Sequence, residues 1–140
     1  MDSYVAFLRG MNLGGRRIKN DELRIEFEQL GFEEVATFRA SGNVIFAAGD
    51  GKLGAKALTD RIEDGLGEAL GYEVPVFLRT ATEVAAIAAR QPFEAELVEA
   101  SKGKLQVSLL SKKPAAAARK KALALVTDED LLAIEGRELY

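Results

Sequence analysis

Tyr4, Ala6 and Leu8 alternate with Val5, Phe7 and Arg9, and this two-residue period, with its β-branched and aromatic content, predicts a strand over residues 3–9. The period then lengthens. Leu23, Phe27 and Leu30 recur at helical spacing, with Asn20 placed to cap, Asp21 and Glu22 in the first turn, and Gly31 to stop the helix. Residues 35–40 and 43–48 return to a strand pattern and are joined through Ser41-Gly42, a turn dipeptide. Leu58, Ile62, Leu66 and Leu70 describe a second helical face ending at Gly71, although Gly54, Gly65 and Gly67 lower its propensity. Residues 73–79 form the next strand, and Pro75 suits a sheet edge.

The order β-α-β-β-α-β over residues 1–79 is that of a ferredoxin-like α/β plait within the α+β class. A second α+β subdomain is expected over residues 80–140. Thr80-Ala81-Thr82-Glu83 reads as a capping box for a helix reaching Arg90, and Gln91-Pro92 ends it. A short helix over 93–100, a strand over 104–110, a helix to Val126 with Pro114 as its first residue, and a strand over 131–134 follow. Glu135-Gly136 reads as a turn, and residues 138–140 begin a return strand. The second plait-like subdomain is therefore expected to be incomplete, cut within a hairpin or completed by a second copy of the chain as a homodimer.

Composition narrows the chemistry. The 140 residues are 48% hydrophobic, contain no cysteine and no histidine, and carry a formal net charge of −3. Disulfide and thiol chemistry are excluded, the usual general base is missing, and neither a metal site nor another cofactor is indicated. No run approaches the roughly 20 apolar residues of a membrane span, so no membrane association is expected and the cytoplasm is the expected compartment.

Charge is unevenly spread. Arg9, Arg16, Arg17 and Lys19 occur without an acid between them, whereas residues 21–34 hold six acids against Arg24. Within the basic stretch, Gly10, Gly14 and Gly15 free the backbone to bring N–H groups close to an anion. In a plait the first strand and the second end on the same side of the sheet, so this stretch meets the turn at residues 39–43. The candidate ligand-binding residues are thus Arg9, Gly10, Asn12, Gly14, Gly15, Arg16, Arg17, Arg39, Ser41 and Asn43, a set suited to phosphate or carboxylate. The expected partner is a phosphorylated small molecule or nucleotide.

Other readings stay open. Neither the dinucleotide fingerprint nor the phosphate-loop motif is present, and the same glycines and arginines also suit a turn-rich, solvated connection. A nucleic-acid-binding module using the same basic stretch is weakened by the acidic total charge. An enzyme acting on a phosphate-linked substrate would need a nucleophile that no residue identifies, because a turn serine such as Ser41 normally serves the turn. Tyr4, Phe7 and Phe46 lie where an RNA-recognition plait carries stacking rings, but the accompanying basic and paired-aromatic pattern is missing, and core packing accounts for them.

The stretches 4–15, 23–32 and 41–46 resemble the N-terminal signature of a bacterial family, domain of unknown function 1697, with LRGxNxGG and SGNVxF motifs. Gln91-Pro92-Phe93 and the strand at 105–110 are similar to that family's second half. The resemblance implies two plait-like α+β subdomains in tandem and no established activity. It also implies a further helix and an Arg-Asn-Trp-like segment beyond residue 140.

Overall fold

The computed structural model describes residues 3–10, 18–38, 42–48, 54–127 and 130–140. They form two compact units, Met1–Ala85 and Ala86–Tyr140. In the first unit the order is β1 (Ser3–Leu8), α1 (Asn20–Gln29), β2 (Glu33–Phe38), β3 (Asn43–Ala47), α2 (Ala55–Leu70) and β4 (Val76–Thr80). The strands form an antiparallel sheet in the order β2-β3-β1-β4. β4 therefore lies at an edge, where Pro75 removes no ladder donor.

One face of this sheet makes the core. Ala6 and Leu8, Val44 and Phe46, and Val76 and Leu78 alternate inward, and they pack with Leu23 and Phe27 of α1 and Leu58, Ile62 and Leu66 of α2. The 3.6-residue spacing read from the sequence is thus the spacing of the buried stripe on each helix. Gly65 lies where α2 meets Leu30, since a Cβ there would stand 2.6 Å from a Leu30 methyl. The glycine that weakens helix propensity permits that approach.

Several boundaries differ from the sequence expectation. Asn20 is the first helical residue instead of the cap; Lys19, in extended conformation, occupies the cap position and makes no side-chain capping bond. β2 starts two residues early, at Glu33, and Glu34 has φ 51° where the β2–β3 register shifts, a bulge that absorbs an extra residue. Gly71 closes α2 in left-handed conformation, φ 78°, its N–H donating to the Gly67 carbonyl.

The capping box forms as read. The Thr80 N–H donates to Glu83 Oε1 at 2.9 Å, and the Glu83 N–H donates to Thr80 Oγ1 at 3.1 Å, starting α3 (Ala81–Ala89). Thr80→Ala is expected to cost about 1 kcal/mol, measured by denaturant unfolding, with Thr80→Ser losing little.

The second unit adds α4 (Ala95–Ala100), β5 (Ser108–Leu109), α5 (Ala116–Leu123), β6 (Ile134–Glu135) and β7 (Glu138–Leu139). Its sheet is antiparallel, in the order β5-β7-β6. Only two residues of the strand expected over 104–110 pair, because β7 offers just Glu138 and Leu139 as partners. Leu105 and Val107, which alternate correctly, remain 39% and 40% exposed. Pro114 precedes the cap residue Ala115 instead of opening the helix. The hairpin turn falls on Gly136-Arg137, with Gly136 at φ 58°.

Candidate functional site

Three strand ends of the first unit meet at one corner. The Leu8 N–H donates to the Gly42 carbonyl and the Arg9 N–H to the Pro75 carbonyl, both at 2.9 Å. The first bond ties the end of β1 to the start of β3, and the second ties it to the residue before β4. Gly10 and Gly42 both adopt left-handed backbone, φ 74° and 76°, which turns the chain out of the sheet at this edge. Arg9 is exposed there, and Asn43, one residue past Gly42, pairs with Phe7.

The structure thus brings together Arg9, Gly10 and Asn43 of the expected set. Asn12, Gly14, Gly15, Arg16, Arg17, Arg39 and Ser41 lie outside the described residues. Ile18 reaches the core at 8% exposure just before α1 begins.

The sheet face opposite the helices was missed by the sequence reading. Phe38 pairs with Asn43, Asn43 with Phe7, and Phe7 with Phe77, so three phenylalanines and one asparagine form a row across all four strands at this same corner. Phe38 is 56% exposed, and Phe7 and Phe77 are partly exposed. This corrects the assignment of Phe7 to core packing, whereas Tyr4 and Phe46 do face the helices, with ring centroids 5.8 Å apart. The next row holds Ala36, Ile45, Val5 and Arg79. Arg79 is a buried arginine on this face, 1% exposed, and its Nη1 donates to the Leu78 carbonyl at 2.9 Å.

The second unit carries a separate charged cluster. Arg90 Nη1 lies 2.6 Å from Glu138 Oε1 and 3.4 Å from the Tyr140 hydroxyl, and its Nε lies 3.4 Å from Glu135 Oε2. Hydrogen bonds to Tyr140 and Glu138 hold this guanidinium above its ordinary pKa. Arg119 donates to the Ile134 carbonyl at 3.1 Å, so two arginines grip the β6–β7 hairpin. Among the described residues no group of His, Cys, Asp or Glu is arranged to hold a metal ion, and no helix is long and apolar enough to cross a membrane.

The family model described as "Protein of unknown function (DUF1697)" matches residues 1–140. The chain belongs to that family. This DUF1697 chain is similar to a solved structure, that of conserved bacterial protein SP0830 from Streptococcus pneumoniae, at 21% identity and a TM-score of 0.66. The alignment covers 99% of this chain and 76% of that one, and at such identity the likeness is one of fold. No curated protein matches the chain. The DUF1697 signature divides between two tasks: in Asn43-Val44-Ile45-Phe46, Val44 and Phe46 fill the core while Asn43 and Ile45 stand on the opposite face.

Proposed function

We propose that the chain binds a phosphate-bearing small molecule or nucleotide at the corner where β1 ends and β3 and β4 begin. The observation that carries this reading is the pair of bonds from Leu8 to Gly42 and from Arg9 to Pro75, which sets an exposed arginine beside the start of the β2–β3 return. The sequence concentrates Arg16, Arg17 and Lys19 in the segment leaving this point, and Arg39 and Ser41 in the segment entering it. Guanidinium groups grip two anionic oxygens at once, so the chemistry suits phosphate better than a neutral ligand. The reading takes the order β2-β3-β1-β4 with its two crossover helices as a ferredoxin-like plait, in which the first crossover begins at this edge and the second returns to it.

Calorimetry against nucleotides and sugar phosphates is the test. At least one such ligand is expected to bind, and Arg9→Ala is expected to weaken it about tenfold, the loss of one charge-assisted hydrogen-bonding group. Absence of heat across the panel, or an unchanged affinity in the variant, removes the proposal. A single-strand nucleic-acid reader on the same residues would instead show affinity falling with salt at a log-log slope of roughly −0.7 per phosphate neutralised.

A further inference from the structure

Resting on the phosphate reading above, we propose that the ligand is a nucleotide whose base stacks on the aromatic row of the sheet face opposite the helices. Phe38, Asn43, Phe7 and Phe77 stand side by side on β2, β3, β1 and β4, and the strand spacing of about 4.8 Å makes the row roughly 14 Å wide. Phe38 and Phe7 flank Asn43, leaving about 10 Å between their strands, room for one base. Asn43 is partly exposed at the centre and carries an amide with both donor and acceptor capacity, the chemistry that reads a base edge. Phe38 keeps 56% of its surface exposed. A large apolar ring with about half of its surface exposed offers a platform that base stacking can use.

Charge gives the ligand its direction. Arg9 follows β1 directly, exposed and with its N–H bonded to the Pro75 carbonyl, so it stands at the same edge of the sheet as the row. At the other end of the face stands Glu33, exposed and paired with Ala47, which repels phosphate. A single base with its phosphate turned toward Arg9 fits this gradient. A polymer would need exposed cations continuing across the sheet; Arg79 in the next row is only 1% exposed, and the acidic end and the net charge of −3 oppose a polyanion.

The experiment is titration calorimetry of the full chain with AMP, ribose 5-phosphate and a short oligoadenylate, on the wild type and on Phe38→Ala, whose exposed position leaves folding intact, checked by a thermal melt. AMP is expected to bind about tenfold tighter than ribose 5-phosphate, and Phe38→Ala to abolish that advantage while leaving ribose 5-phosphate unchanged. Ile45→Ala, one row away, is expected to keep it. Equal affinity of the wild type for AMP and ribose 5-phosphate overturns base stacking and leaves the phosphate reading standing. Failure of both ligands to bind overturns the phosphate reading, and the nucleotide with it. Binding of the oligoadenylate alone assigns the row to a nucleic acid. Self-association lost in Phe38→Ala without AMP binding assigns it to a second copy of the chain, and either result ends the mononucleotide proposal.

Discussion

Phe46→Ala is expected to destabilise the first unit by about 3–5 kcal/mol, the range for deleting a fully buried aromatic ring. Phe46 is 1% exposed and stands at the centre of a ring cluster: its centroid lies 4.5 Å from that of Phe32, 5.5 Å from Phe27 and 5.8 Å from Tyr4. Those three neighbours come from the β2 approach, α1 and β1, so one side chain ties three parts of the unit together. Removing it leaves a void that they cannot jointly close, because each is also held by its own element. A domain of this size has a total stability on the order of 5–10 kcal/mol, so the variant should lose a large share of it. The comparison is Ile45→Ala on the same strand, 42% exposed and facing the other way, which is expected to cost less than about 1 kcal/mol. Denaturant unfolding of the two variants, side by side, measures the difference. Equal losses would mean that the face of β3 against the helices is not the one carrying Phe46.

The same strand shows why the core was legible in the sequence and the candidate site only partly so. Burial follows the period of the element, so Val44 and Phe46, Leu23 and Phe27, or Leu58, Ile62 and Leu66 can be sorted from polar neighbours without knowing what lies opposite. The aromatic row has no such signature within any one strand. Phe38, Phe7 and Phe77 become neighbours only through the register of three strand pairs, fixed by the Gly42 turn and by the pairing of β1 with β4. Phe7 could be placed opposite Tyr4 and Ala6 by alternation, but that alone does not say whether the second face is filled.

The second unit reverses the lesson. Leu105, Val107 and Leu109 alternate as a strand should, yet only Ser108 and Leu109 pair, since period alone does not supply a partner edge. Boundaries fail for a related reason. Asn20 is a good capping residue, but the backbone enters helix one residue earlier than that role requires, and Asn20 is drawn into the first turn. The motif residues Arg9 and Asn43 acquire a shared location from the Leu8–Gly42 and Phe7–Asn43 pairings, while the remaining basic and glycine positions are placed by sequence alone.

Arg90→Ala is expected to destabilise the second unit at its β6–β7 hairpin. Glu135 and Glu138 are direct cross-strand partners, an unfavourable placement of like charges, and Glu138 is buried at 5% exposure. Arg90 touches both, at 3.4 Å and 2.6 Å. In the wild type the relevant shift is the raised pKa of Arg90, so its stabilising contribution is complete below its ordinary value and is lost only in strong alkali as pH rises through the folded value. No change from this source falls between pH 5 and 9. Without the guanidinium, the buried Glu138 carboxylate faces Glu135 across the hairpin with less to offset its burial. The melting temperature at pH 7 should fall by several degrees. Hydrogen exchange at the Ala133 and Tyr140 amides, which bond across the hairpin at 3.0 Å and 2.8 Å, localises the effect to β6 and β7. Adding Glu138→Leu should restore stability, because it removes the buried charge that the arginine accommodates. A single variant that melts with the wild type would show that Glu138 is held by groups other than Arg90.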